Sequence, residues 1–205
     1  MNICLTLTDI DWSVTRDVVA IIGTFGALVI AALGLSTWNR QLRGTSEYDT
    51  AKRAILLTYK VQQEIQNVRS PMIFLDKDEV ESGRRLEEEQ RIYDERMRAL
   101  YEKWTDLQAV RLEAKVIWGE RASECFDEMQ KVIGKLRSAI WMHFWLKGAY
   151  AAPGAEVDRT PERRVENNRI VYYESEKDEF SVKIDSSVES VEKFFKRKTK
   201  IGKET

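Results

Sequence analysis

Arg137 and His143, in the stretch RSAIWMHFW, are the residues whose types and spacing could do acid–base chemistry on a phosphodiester. His143 is the only histidine in the chain. An imidazole gives or takes a proton near neutral pH, and a guanidinium stabilises the charge that builds on a phosphorane-like transition state. Ser138 follows the arginine and completes an Arg-polar-x4-His order. The competing use is packing. Six residues advance a helix by about 600°, which leaves the two side chains roughly 120° apart. His143 also ends an apolar seam and is flanked by Trp141, Phe144 and Trp145. We favour packing, with no catalytic residue.

The seam that would position His143 runs through Ala122, Phe126, Met129, Ile133, Leu136, Ile140 and His143, in alternating steps of four and three. That period specifies a helix with one apolar stripe. Upstream, Leu86, Tyr93, Met97, Leu100, Trp104, Leu107 and Ala114 mark a second helix, with a break expected at Gly119. Ala54, Leu57, Val61, Ile65 and Val68 mark a first one, capped at Thr45 or Ser46 and ended by Pro71. Long amphipathic helices with short connections predict a bundle over residues 45–150. LDKDEVESGRR reads as a polar loop or the frayed start of the second helix, and residues 151–168, with Pro153, Gly154 and Pro161, as another loop. RIVYYES and EFSVKID, separated by EKD, alternate like strands and predict a β-hairpin. Ser186 with Glu189 then starts a last helix, so residues 169–205 form hairpin, helix and basic tail.

A different kind of segment precedes the bundle. From Val18 to Trp38 the chain reads VVAIIGTFGALVIAALGLSTW, without a charge. At about 1.5 Å per residue such a helix spans the roughly 30 Å of a bilayer's hydrocarbon core. Trp12 and Trp38 stand near its ends, where indoles favour the interface. A cleaved signal would need a basic lead, whereas Asp9, Asp11 and Asp17 stand here against Arg16. Residues 17–39 are therefore expected to cross a membrane. Arg40, Arg43, Lys52 and Arg53 follow, which puts residues 1–16 outside and the rest in the cytoplasm. Cys4 and Cys125 then sit in different compartments and do not pair.

Within the span, Gly23, Ala27 and Ala31 form a small-xxx-small face on which two helices can approach closely. Thr24, Ser36 and Thr37 are the only polar candidates to line a pore. In the tail, Lys193, Lys196, Arg197, Lys198 and Lys200 interleave with Phe194 and Phe195 and offer contacts to anionic lipid or nucleic acid. The alternative is a solvated end whose phenylalanines pack on the bundle. The whole chain has a formal charge of −1, so it carries no global footprint for nucleic acid, and RNA remains an open partner. In ESGRRLEEEQRIYDERMR acid balances base, with Glu87–Arg91 and Asp94–Arg98 as i,i+4 pairs on a solvated face. No metal-ligand spacing, phosphate loop or nucleophile elbow is present, so no cofactor or metal is expected.

The uncharged first helix, the helical part that follows across residues 17–147 and the Arg137/His143 pair together resemble one known group. These are the small membrane-anchored, HEPN-like accessory proteins of bacterial type VI-B CRISPR systems. The resemblance implies an oligomeric, inner-membrane effector of antiphage defence that perturbs the membrane or forms a pore beside a cytoplasmic defence protein. The expectation is thus a mainly α protein: a transmembrane helix, a cytoplasmic helical bundle, and a small C-terminal β-hairpin and helix. The alternatives are a membrane-tethered HEPN-like RNase using Arg137 and His143, and an anchored scaffold for a cytoplasmic partner.

Overall fold

A sequence rich in Leu, Glu, Lys and Arg and poor in proline favours helix throughout, and the computed structural model, which describes residues 12–150 and 160–199, is built of seven helices. They are α1 Trp12–Arg69, α2 Lys77–Glu81, α3 Arg85–Trp118, α4 Glu120–Glu124, α5 Asp127–Lys147, α6 Pro161–Val171 and α7 Glu179–Thr199. The chain divides after Ser46 into two units, and α1 contributes to both.

In the first unit, α1 is long and apolar enough to cross a membrane, and its side chains from residue 16 to 46 are exposed. Val18, Ile22, Phe25, Leu28 and Leu33 are all about half or more exposed. The expected link between two helices around Gly44 is instead helical. Thr45 does not cap a new helix; its hydroxyl donates to the Gln41 carbonyl one turn back. One glycine costs a helix only about 1 kcal/mol, which its long-chain neighbours outweigh.

In the second unit, every core stripe is helical in period. α1 buries Ala51, Ala54, Val61, Ile65 and Val68; α3 buries Tyr93, Met97, Leu100, Leu107 and Ala114. The two run antiparallel, because Arg53 pairs with Glu113 while Arg96, near the other end of α3, donates to the Ser70 carbonyl. α1 stops at Arg69, before Pro71, as the sequence requires. The polar loop after it contains the short α2, capped by the Asp76 carboxylate on the N–H groups of Asp78 and Glu79. Gly119, at φ 82°, separates α3 from α4 in a conformation that only glycine adopts cheaply. The seam of the third helix is buried from Ala122 to His143, but it spans two helices, with Phe126 between them. Arg111 of α3 fastens that junction through Ser123, Gln130 and Asp127 at 2.7–2.8 Å.

The β-hairpin is overturned. No strand occurs among the described residues: RIV closes α6, residues 172–175 follow outside any helix, and EFSVKID opens α7 as helix throughout. Phe180, Val182 and Ile184 alternate as a strand would, yet Val182 is 53% exposed while Phe180 and Ile184, one helical turn apart, are buried. Val188, Val191 and Phe195 continue that turn-by-turn stripe, so the longer period wins over a three-residue alternation. The helix also starts earlier than the Ser186–Glu189 pair suggests. Asp178 accepts from the Ser181 N–H at 2.7 Å, as an N-cap does. Nor is residues 151–168 wholly loop, since α6 begins at Pro161, the first-turn position proline tolerates.

What replaces the hairpin is a helix–turn–helix held by one buried arginine. Arg69, fully buried at the end of α1, donates through Nε to the Ile170 carbonyl at 2.9 Å and through Nη1 to the Ser181 hydroxyl at 2.8 Å. Its Nη2 reaches the Tyr172 carbonyl at 2.9 Å and the Asp178 carboxylate at 3.2 Å. The Phe180 ring lies 5.0 Å from the guanidinium. Burial pushes the Asp178 carboxyl up, but hydrogen bonds from Ser181 and the charge of Arg69 outweigh it and hold the carboxyl below its ordinary range. Arg69→Ala is expected to lower stability by about 3–5 kcal/mol, since it strands a buried carboxylate and several carbonyls. Arg69→Lys should rescue little, because one ammonium cannot replace the fork. Thermal or denaturant unfolding of the full chain in detergent, followed by circular dichroism, checks both.

Candidate functional site

His143 lies on α5, 5% exposed, and faces α3. Its Nε2 is 3.3 Å from Glu89 Oε1, and Lys147, one turn further along α5, places Nζ 2.5 Å from the same oxygen. An ionised carboxylate only accepts, so the imidazole donates from Nε2. Three rings close round the imidazole: Phe144 at 5.2 Å, Tyr172 at 5.7 Å and Tyr93 at 5.9 Å between centroids. The hydrogen bond from His143, joined by Lys147, lowers the Glu89 carboxyl to about 2 against the opposing effect of burial. Burial pushes the phenols of Tyr93 and Tyr172 upward, so both stay protonated. The cluster therefore joins α3, α5 and the segment after α6 by a satisfied ion pair wrapped in aromatic surface.

Arg137 takes no part in it. It and Ser138 are exposed on the outer face of α5, and the Ser138 hydroxyl is turned back to the Gly134 carbonyl. The helical offset of roughly 120° has its expected effect: one chain does not bring Arg137 and His143 to a common substrate. Glu89 and Lys147 are the partners that reading the sequence missed. Lys147 carried a signal, four residues from His143 on one helix face. Glu89 carried none, being the last of three consecutive glutamates.

The residues expected to pack membrane helices, Gly23, Ala27 and Ala31, are exposed, and a β-carbon added at Gly23 would meet no atom within 4 Å. Thr24 donates to the Ala20 carbonyl at 2.8 Å and Ser36 to the Leu33 carbonyl at 2.9 Å, so both hydroxyls are satisfied along the helix. Thr37 is exposed beside them. In the tail, Phe195 is fully buried against Trp118 and Phe126, and Phe194 is half-buried. The phenylalanines thus pack, as the alternative to a free tail requires, while Lys193, Lys196, Arg197 and Lys198 stay exposed around them. Lys196 pairs with Glu192 at 2.7 Å and Lys198 lies 5.7 Å from the Phe194 ring. Lys200 and Cys4 lie outside the described residues. Burial pushes the Cys125 thiol up to about 12, which keeps it an inert thiol. On the charged face of α3, Arg91 forks onto Glu88 and reaches Glu95, rather than pairing with Glu87.

This chain matches no family model, no curated protein and no solved structure.

The Glu89 carboxyl is depressed from an ordinary 4.5 to about 2, so its contribution is full above pH 4.5 and fades as pH falls towards 2. The shift corresponds to about 3 kcal/mol. Glu89→Gln is expected to remove most of that at pH 7 and to flatten the loss of stability between pH 5 and 2. Urea unfolding at a series of pH values checks it, and an unchanged acid limb would contradict the assignment.

Proposed function

We propose that this protein is a non-enzymatic, oligomeric inner-membrane effector or accessory protein of bacterial antiphage defence, which perturbs the membrane or forms a pore. The observation that carries the membrane part is the uncharged run Val18–Trp38, whose apolar side chains are exposed along the helix. Such a face is stable in lipid, where backbone groups are satisfied along the helix and apolar side chains need no cover. The Gly23/Ala27/Ala31 face supports self-association, because small residues let helix backbones approach. Positive charge at Arg40, Arg43, Lys52 and Arg53 supports a cytoplasmic bundle with the N-terminus outside. The defence role rests on the resemblance to the membrane-anchored accessory proteins of type VI-B CRISPR systems.

The enclosure of His143 and the outward position of Arg137 weigh against an RNase built from this pair within one chain. An anchored scaffold is the second reading. It is favoured by an exposed aromatic stack, in which Trp141, 51% exposed, lies parallel to Tyr150 and Trp145 at ring separations of 6.0 and 6.4 Å. Exposed, mutually rigid aromatics are what protein partners use as anchors.

Mass measurement of the detergent-solubilised chain is expected to give several copies per particle, and Gly23→Leu with Ala27→Leu to reduce that number. Reconstituted vesicles should leak a small dye with the native helix and retain it with the double variant. A strict monomer that leaks nothing would sink the effector reading and leave the scaffold.

A further inference from the structure

The tail cations do not stand alone. Arg121, from α4, faces Lys193, Arg197 and Lys198 of α7 across a groove of about 640 Å³, with Trp118 and Phe194 in its wall. One carboxylate, Glu124, offsets four cations. Among the described residues none forms an ion pair with Arg121, Lys193 or Arg197. Elsewhere in this unit Arg53, Arg69, Arg84, Arg91, Arg111, Lys115 and Lys131 each have an acidic partner, while cations with none among the described residues, such as Lys60, Arg85 and Arg98, are exposed outside the groove. Unpaired like charges repel each other and weaken a fold unless an anion joins them.

We propose that this groove binds the phosphate of an anionic phospholipid headgroup. Three observations select that chemistry. Guanidinium and ammonium donors from two helices converge on one concave surface, which suits a compact phosphodiester. Half-buried Trp118 and Phe194 line the same groove, and such rings suit the headgroup level, where an apolar body meets water. The third observation is one of connectivity. Arg53 pairs with Glu113, so the groove, next to Trp118 at the end of α3, lies at the end of the bundle where α1 enters it. Along the chain only residues 39–46 separate Trp38 from Glu47, and even fully extended they reach no more than about 30 Å. The proposal rests on residues 18–38 crossing a bilayer, and it assigns Arg121 and Trp118 a ligand that the tail alone did not suggest.

The test uses the full chain in an uncharged detergent, titrated with short-chain phosphatidylglycerol or phosphatidylcholine and followed by calorimetry. Saturable binding of the anionic lipid and none of the zwitterionic one is expected. Each cation near an anionic headgroup is worth about fivefold in affinity, so losing three should weaken binding about a hundredfold. The variant Arg121→Gln/Lys193→Gln/Arg197→Gln changes only exposed side chains, and its melting temperature verifies folding. The same neutralisation at Lys60, Arg85 and Arg98, exposed positions outside the groove, should cost less than about threefold if general attraction is minor. Equal losses in the two triple variants would overturn the groove. Glycerol 3-phosphate binding as tightly as the lipid would overturn the lipid source in favour of a soluble phosphate. Tighter binding of a single-stranded oligoribonucleotide would overturn it in favour of RNA. If the chain instead partitions into the aqueous phase without detergent, the membrane reading fails by itself, whatever the groove binds.

Discussion

Arg69 is the group on which the second unit depends. A guanidinium has five N–H donors in a planar fork and stays charged when buried, so burying it fully is tolerable only if nearly every donor is met. Here the acceptors come from the two ends of a helical turn. The Arg169, Ile170 and Tyr172 carbonyls belong to the close of α6, where the last carbonyls have no helical partner. Asp178 and Ser181 belong to the start of α7. One cation thus sits at the negative end of one helix, and the carboxylate it holds caps the positive end of the next. A buried ion pair of this kind adds little net stability by itself. It does tie residues 169–181 to the end of α1 at five acceptors.

The same segment carries that constraint to His143. Tyr172 offers its carbonyl to Arg69 and its ring, nearly perpendicular at 88°, to the imidazole. The α6–α7 turn is therefore fixed on one side by Arg69 and covers the Glu89–His143–Lys147 cluster on the other. This coupling is what encloses the histidine of RSAIWMHFW. Its donor nitrogen is spent on Glu89, and the space above the ring is occupied by Tyr172 and Tyr93.

Much of the bundle was legible in the sequence because burial of one helix face imposes its period on the residues. Every member of the Ala122–His143 seam is buried, and Pro71 and Gly119 mark helix ends as their backbone restrictions require. The hairpin was misread for a definite reason. Phe180-x-Val182-x-Ile184 satisfies both a period of two and a period of four over its first turn, and β-branched residues tilt the choice towards strand. What decides for helix lies outside that window: Val188, Val191 and Phe195 further on, and Arg69 more than a hundred residues earlier. Glu89 and Arg121 were illegible on similar grounds. Each sits in a charged stretch and acquires meaning only from a partner brought to it by the fold, His143 in one case and the cations of α7 in the other.

A formal charge of −1 over the whole chain conceals how that charge is arranged. Pairing, and not the sum, decides what a surface offers to an anion. On α3, the Arg91 charge is absorbed by Glu88 and Glu95, and the neighbouring surface shows water a neutral mosaic. At the α4–α7 groove the cations come from two helices and outnumber the one lining acid, Glu124: Glu192 takes Lys196, leaving Lys193 and Arg197 without an ion pair among the described residues. Helix α7 holds three cations in its last turn, where the helix dipole favours them and lowers the cost of their mutual repulsion. The buried Phe195 then anchors that turn to Trp118 and Phe126, so the charges are held on a packed surface and not on a free end. An array carried on packed helices spends no backbone ordering entropy on each binding event, only that of its Lys and Arg side chains, which is what separates it from a merely basic tail.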